Sequence, residues 1–222
     1  MPTRNRGGPS PDAAHTGLAF ERIIFFSDAV MAIAITLLAI DLRVPEIAGL
    51  ATTADMAAHL VAMWPRFLSF IVSFGVVAVY WNSHHRNFNL IRRYDGRLIV
   101  LNLLFLLCIT CMPFIAGLLG QYPAVPLSLM VYAGAVAATG YCLAAIWWYA
   151  TDKHRLVDAD LDSHFIRSRN VIGFIGPTMF VLSIPAALVS STLAIAVWCL
   201  SPFLSLMVLR WLDREPLPRK TA

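Results

Sequence analysis

Long apolar stretches, separated by short polar segments, fill most of the chain. Spanning a bilayer takes about 20 mostly apolar residues per helix. Six stretches meet this length, and they cover residues 20–42, 60–83, 98–119, 125–150, 170–189 and 192–211. The pattern therefore predicts an all-α integral membrane protein with six transmembrane helices, numbered here one to six.

Composition agrees with this pattern and leaves little chain for a soluble domain. The 222 residues are 59% hydrophobic and 14% charged, whereas soluble domains are about a quarter charged. Residues 1–18 are rich in proline and glycine and are predicted to be a disordered tail, and residues 213–222 a second, short tail. One membrane domain, residues 19–212, is expected between them. No small-residue cleavage site follows helix one, so we expect this helix to stay in the mature protein.

Basic residues are distributed one-sidedly. Apart from Arg43 and Arg66, every lysine and arginine lies around the start of helix one, between helices two and three, between helices four and five, or at and after the end of helix six. Because positive charge accumulates in short cytoplasmic loops, both termini are predicted to be cytoplasmic. This topology and the anionic lipid surface account for the net charge of +4, so no nucleic-acid partner is expected.

Several polar residues lie at one depth inside the predicted helices. Asp28 is about 10 Å along helix one from its polar boundary, taking about 1.5 Å per residue. An unpaired carboxylate there costs at least a few kcal/mol, so it requires partners. We predict a buried hydrogen-bond network of Arg22, Ser27, Asp28, Trp81, His84 and Asn102. Such groups can hold helices together, and Asp28 with a histidine can also relay protons.

Catalytic and metal-binding patterns are weak by comparison. The pair Cys108 and Cys111 lies on an apolar helix without a second ligand pair, so packing is its expected role. His84 and His85 point about 100° apart on a helix, which disfavours joint metal or haem ligation. The sequence has no phosphate loop, nucleophile elbow or paired carboxylates. We expect neither an enzyme nor a cofactor.

One face of helix one carries Ile33, Thr36, Leu37 and Ile40, spaced three or four residues apart. Asp28 is rotated from Ile33 by about 140° at the helical period. A stripe of this kind is also what a lipid-facing or core helix shows. Periodicity alone therefore does not distinguish a pore from these alternatives.

The run from Arg22 through Phe26, Ser27 and Asp28 to Leu38 resembles the signature of bacterial members of the transmembrane protein 175 family, relatives of the endolysosomal potassium channel. Trp81-x-x-His84 resembles the family's second signature. The resemblance implies a homotetramer in a bacterial inner membrane, with helix one of each subunit lining a central pore. No T-V-G-Y-G filter is present in the sequence.

The resemblance also implies roles for single residues. Ile33 and Ile40 would form hydrophobic constrictions, Thr36 would offer a hydroxyl ring to transient potassium, and Leu37 would turn in when the helix rotates. Phe26 would belong with the polar network. Selectivity for potassium over sodium would be moderate, because it would come from the cost of dehydration. Met31 departs from the phenylalanine of many relatives.

Two classes of transport function follow from these residues. The first is a passive potassium channel, which should be sensitive to Ile33, Thr36 and Ile40. The alternative is a proton channel or proton-coupled secondary transporter, which should depend on Asp28 and His84. A structural scaffold, the third hypothesis, should be indifferent to both sets.

Overall fold

The computed structural model describes residues 11–43 and 52–212, with side chains described from residue 18 onward except at 209 and 212. Residues 1–10 and 213–222 of the predicted tails, and 44–51 of the first loop, lie outside the described residues. Seven α-helices are described: α1 Pro11–Leu37, α2 Thr53–Ala62, α3 Trp64–Phe88, α4 Gly96–Gln121, α5 Pro126–Thr151, α6 Ser163–Val189 and α7 Ser191–Leu212.

Six helical segments of the described chain are long and apolar enough to cross a membrane. They are Leu18–Asp41, Trp64–Phe88, Gly96–Gln121, Pro126–His154, Ser163–Val189 and Ser191–Val208. These segments belong to α1 and to α3–α7 and correspond to predicted helices one to six. The prediction of an all-α protein with six membrane-spanning helices is confirmed.

The described helices differ from the expected ones in three places, two of which follow from local capping signals. The described part of α1 starts at Pro11, so it includes residues 11–18 of the predicted tail. Asp162 caps α6, which therefore begins at Ser163 rather than near residue 170. The additional α2 starts at a capping box, in which Thr52 and Asp55 bond each other's backbone N–H groups.

The packed centre of the bundle lies along α4 and α5. Fully buried side chains include Phe105, Ile109 and Met112 of α4 and Tyr132 and Ile146 of α5. Consecutive helices from α3 to α7 pack against one another, while α1 packs against α3 and α4. The hydrophobic core therefore supports one side of α1 and leaves its other side free.

Polar contacts join the α3–α4 and α5–α6 connections at one end of the bundle. Ile91 and Val157 form an isolated antiparallel bridge, and Arg92 forms an ion pair with Asp158 at 3.0 Å. Asp95, the N-cap residue of α4, accepts a hydrogen bond from the Tyr149 hydroxyl of α5. These contacts fix the ends of α3, α4 and α5 relative to one another.

Candidate functional site

A 3-10 turn, Leu38–Asp41, continues α1 and is counted with it from here on. The extended α1 has one face buried in the bundle. Its fully or nearly buried side chains are Ser27, Met31, Ala34 and Leu38, which follow one another at helical spacing. This face packs against α3 and α4. The spacing fixes the rotation of α1, because any other rotation would withdraw these side chains from the core.

The other face of α1 is exposed in the isolated subunit. Ile33 is 58% exposed, Leu37 40% and Ile40 51%, and Thr36 is also exposed. The Thr36 hydroxyl donates to the Ile33 carbonyl oxygen at 2.8 Å. Since its proton is committed to the backbone, the hydroxyl oxygen presents lone pairs on this face. The four residues predicted to line a pore thus share an exposed surface with an oxygen acceptor among aliphatic groups.

Behind this surface, Asn102 of α4 connects α1 to α3. Its Nδ2 donates to the Ser27 hydroxyl at 2.8 Å, and its Oδ1 lies 2.9 Å from His84 Nε2. Because an amide oxygen only accepts, His84 donates from Nε2. Ser27 and His84 are fully buried and Asn102 is 2% exposed. This hydrogen-bonded chain, called here the Asn102 chain, places three polar side chains inside the membrane span with partners.

The His84 ring is also fixed by aromatic side chains. It stacks on Phe88 at 4.1 Å and on Phe105 at 5.3 Å between ring centroids. Its Nδ1 is buried and has no hydrogen-bond partner among the described residues. An imidazole stacked on two rings and bonded at Nε2 has little rotational freedom. His84 therefore serves as a rigid contact between α3 and α4.

Asp28 makes a separate contact with α3. Trp81 donates from its indole Nε1 to Asp28 Oδ1 at 2.9 Å, and its ring stacks on His85 at 5.7 Å. Asp28 is half-buried, and Trp81 is 42% exposed. The carboxylate thus has a neutral donor rather than a cation as its partner.

The residues predicted to form one network therefore fall into two groups. Ser27, His84 and Asn102 are joined in the Asn102 chain, and Asp28 is joined to Trp81. Arg22 is exposed and no bond joins its described side chain to either group, and Phe26 is 53% exposed. The prediction used only the depth of each residue along its helix. Depth places these residues in one layer of the membrane, but it does not specify which of them form hydrogen bonds with each other.

Asp41, at the opposite end of α1, was not among the predicted site residues. The last turn of this segment is a 3-10 helix, Leu38–Asp41. The Asp41 carboxylate lies against Gly117 of α4, in the space that a Cβ at position 117 would occupy. A cavity of about 330 Å³ beside this contact is lined by Asp41, Arg66 and Gly117, among others. The acidic residue at the end of the apolar run was the available signal, but its partner lies on a distant part of the chain.

The described part of the chain contains no disulfide and no group of side chains suited to bind a metal ion. Cys108 is half-buried, Cys111 is exposed, and both are free thiols. Among the described residues, no three histidine, cysteine, aspartate or glutamate side chains are grouped so as to hold a metal ion.

Comparison with known proteins relates this architecture to one family. The model of the family described as endosomal/lysosomal potassium channel TMEM175 matches residues 22–113, which cover the later part of α1, all of α2 and α3 and much of α4. A protein from Chamaesiphon minutus named a potassium channel is 32% identical over 191 residues, covering 85% of this chain and 92% of its own length. The human protein named endosomal/lysosomal proton channel TMEM175 is 28% identical over 78% of this chain, which spans 35% of that longer protein.

A solved structure extends the likeness to the fold. The crystal structure described as a lysosomal potassium-selective channel TMEM175 homolog from Chamaesiphon minutus superposes with a TM-score of 0.73 and 30% sequence identity. The match covers 86% of this chain and 98% of that one. These matched proteins are named as ion channels, which are not enzymes. Sequence identity, coverage and fold agree, and the chain belongs to the TMEM175 family.

Proposed function

We propose that this chain is a subunit of a potassium channel in which α1 lines the pore. The observation that carries the proposal is the exposed face of α1 with Ile33, Thr36, Leu37 and Ile40. This face lies opposite the side chains by which α1 packs into its own subunit. A homotetramer would bring four such faces together around one axis. Relatives with matching length that are named potassium channels support the potassium-channel part of the proposal.

Ion selection in this proposal follows from dehydration. Ile33 and Ile40 offer no polar atoms, so an ion passing them must shed part of its hydration shell, and potassium does so at lower cost than sodium. Thr36 lies between them and offers the lone pairs of its hydroxyl oxygen, since its proton is bonded to the Ile33 carbonyl. Potassium would bind there transiently, because the hydroxyl oxygens replace some of the water ligands that the ion has lost. Moderate selectivity is expected from such a constriction.

The two polar groups behind α1 would maintain its rotation. Ser27 bonds to Asn102 of α4, whereas Asp28 bonds to Trp81 of α3. Adjacent helical residues point about 100° apart, so the two bonds restrain α1 from two directions. A rotation of α1 would have to break both bonds. They therefore keep the Ile33–Ile40 face directed to the axis.

The orientation in the membrane follows from charge in the same proposal. The chain lies in a bacterial inner membrane with both termini on the cytoplasmic side, because arginine and lysine concentrate at the end of the bundle that carries the α3–α4 and α5–α6 connections. In this orientation the Asp28 layer lies in the inner leaflet, and Asp41 lies towards the outer surface.

A proton channel or proton-coupled transporter is the second candidate. It is favoured by the half-buried Asp28 and by the relative that is named a proton channel. The hydrogen bonds do not form one relay, however, because Asp28 bonds Trp81 whereas His84 bonds Asn102. Indole Nε1 donates but does not accept a proton. We therefore give the potassium channel precedence.

Cation flux into liposomes tests the proposal. The purified protein should pass potassium faster than sodium under an imposed cation gradient and no pH gradient. Ile40→Asn should remove this preference, because an amide in the constriction lowers the cost of dehydrating sodium. Ile71→Asn is the matched control, since Ile71 lies on α3 and is 59% exposed, close to the value for Ile40.

The two candidates give different results in this assay. Flux that requires a pH gradient and is lost in Asp28→Asn would favour the proton-coupled candidate. Equal effects of the Ile40 and Ile71 substitutions would contradict the assignment of the pore to α1. The mass of the purified assembly is a separate check, since a homotetramer has four times the subunit mass of 24.5 kDa.

A further inference from the structure

The contact between Asp41 and Gly117 attaches the end of α1 to α4. If residue 117 carried a Cβ, that atom would lie 2.8 Å from Asp41 Cγ and 3.1 Å from Asp41 Oδ1, with Oδ2 nearer still. Distances below about 3.0 Å are not tolerated between such atoms. Glycine at 117 therefore leaves the notch that the Asp41 carboxylate fills.

The notch is part of a closely packed strip of α4. One turn further along, a Cβ at Gly120 would lie 3.1 Å from Arg66 Cα and 3.3 Å from Ser69 Cβ of α3. Ser69 also donates to the Ala116 carbonyl oxygen at 2.6 Å. This part of α4 is held against α3 and offers a fixed surface to α1.

Asp41 follows Ile40 in the chain, so the notch that holds the Asp41 side chain also determines where Ile40 lies. The two residues end the 3-10 turn Leu38–Asp41, whose hydrogen bonds are weaker than those of an α-helix. Leu38 is 2% exposed and anchors the start of this turn. Asp41 is exposed overall, but its carboxylate lies against Gly117 and fixes the end of the turn. Ile40 lies between these two anchors with its side chain exposed.

We propose that Gly117 is a positioning residue for ion selectivity: it admits the Asp41 carboxylate and thereby holds Ile40 at a fixed distance from the pore axis. The inference rests on the proposed role of Ile40 as a constriction. A larger residue at 117 would push the Asp41 end of α1 away from α4, and the adjacent cavity leaves room for that shift. The constriction would change width although no pore residue was altered.

Charge does not explain the contact. Arg43 and Arg66 line the same cavity as Asp41, but the structure gives neither described arginine a salt bridge to it. The carboxylate is placed by the shape of the notch. Asparagine, which has the same shape without the charge, should therefore fit at position 41, whereas alanine should leave the notch empty.

Disulfide trapping tests the contact without relying on ion conduction. Asp41→Cys and Gly117→Cys are combined in a protein whose Cys108, Cys111, Cys142 and Cys199 are replaced by alanine. A disulfide needs Cβ atoms about 3.5–4.5 Å apart. Asp41 Cγ lies 2.8 Å from the position of a Cβ at 117, and the Asp41 Cβ is one bond away from this Cγ, so the pair is close enough to be linked. We expect mild oxidation to protect both thiols from labelling within one subunit. The control pairs Asp41→Cys with Gly134→Cys, since a Cβ at 134 meets nothing within 4 Å, and it should stay reactive. Unprotected thiols in the first pair would overturn the proposal.

Selectivity measurements test the consequence. Gly117→Ala should move the potassium-to-sodium flux ratio away from that of the wild type, whereas Gly134→Ala should not. In the Asp41→Ala background, Gly117→Ala should have no further effect, because no carboxylate then meets the added methyl group. Asp41→Asn should keep the wild-type ratio. A Gly117→Ala protein with the wild-type ratio, or with the same effect in both backgrounds, would overturn the positioning role.

The two proposals fail in different ways. If Ile40→Asn does not change selectivity, the role of Ile40 is wrong, and disulfide trapping still reports whether Asp41 meets Gly117. If Ile40→Asn changes selectivity but Asp41→Ala does not, the pore assignment stands and the positioning role of the notch is wrong. This second comparison also holds if Gly117→Ala does not assemble.

Discussion

Trp81 of α3 donates a hydrogen bond from its indole Nε1 to Oδ1 of Asp28 on α1, at 2.9 Å. This bond joins the two sequence elements by which the chain resembles its family. The neighbouring Ser27 bonds instead to Asn102 of α4. Two consecutive residues of α1 are thus attached to two different helices, and α1 is restrained in rotation as well as in position.

Trp81→Phe should reduce the stability of the subunit. Phenylalanine keeps the aromatic body but lacks the N–H group, so the half-buried Asp28 carboxylate loses its donor. A hydrogen bond to a charged group typically contributes about 1.5–3 kcal/mol. Thermal unfolding in detergent should show a lower midpoint for this variant than for the wild type.

Trp148→Phe is the control for the Trp81 substitution. Trp148 lies on α5, is 58% exposed, and undergoes the same chemical change without an observed partner for its indole. Its unfolding midpoint should remain close to that of the wild type. Equal loss of stability in the two variants would show that removal of the indole, rather than of its bond to Asp28, is responsible.

Asn102→Leu should destabilise the bundle from within. Leucine has a similar size but leaves the buried His84 Nε2 without an acceptor and Ser27 without a donor. An orphaned buried polar group costs about 1–3 kcal/mol. Asn82→Leu on α3 is a suitable comparison, because Asn82 is exposed. Similar unfolding midpoints for the two variants would contradict a stabilising role for the Asn102 chain.

Hydropathy predicted the membrane-spanning helices because each requires a long apolar run, which is visible without tertiary contacts. It missed α2, since this helix has ten residues and is specified by the capping box at Thr52 and Asp55 rather than by a spanning apolar run. Membrane depth likewise grouped Ser27, Asp28, Trp81, His84 and Asn102. Their division into two bonded groups depends on helix rotation, which depth does not specify.

The contact between Asp41 and Gly117 was not predicted from the sequence. An aspartate at the end of a helix is ordinarily a solvated residue, and a glycine within an apolar helix has many structural explanations. Their significance arises from the distance between α1 and α4 at that point. This distance is set by the packing of α4 against α3 through residues such as Ser69, far from either residue in the sequence.

Asp95→Asn should lower stability at neutral pH and much less in acid. Partial burial would raise the pKa of Asp95, but hydrogen bonds from Tyr149 and from the backbone N–H groups of Leu98 and Arg97, together with the charge of Arg155, lower this pKa below its usual 3.8. A carboxyl group with a lowered folded-state pKa contributes stability that is present above 3.8 and is lost as pH falls through the lowered pKa.

Thermal unfolding of wild type and Asp95→Asn from neutral pH down to a pH below the lowered pKa of Asp95 tests this expectation. The gap between the two midpoints should be widest at neutral pH and should close in acid. Asp158→Asn is the comparison, because its ion pair with Arg92 is exposed on both sides and such pairs contribute little. A gap for Asp95→Asn that is constant with pH would contradict the linkage.

Thr36→Val should reduce potassium flux while leaving the fold intact. Valine has nearly the same shape, so the exposed face of α1 keeps its contour but loses the hydroxyl oxygen that would replace water around potassium. Thr110→Val provides a close control, since Thr110 is also exposed and its hydroxyl donates to the carbonyl oxygen three residues earlier at 2.8 Å, as in Thr36. The two substitutions therefore carry the same local cost, and only the one at the proposed pore should change flux in liposomes. If Thr110→Val slows potassium as much as Thr36→Val, the effect comes from helix stability, and the Thr36 oxygen is not an ion ligand.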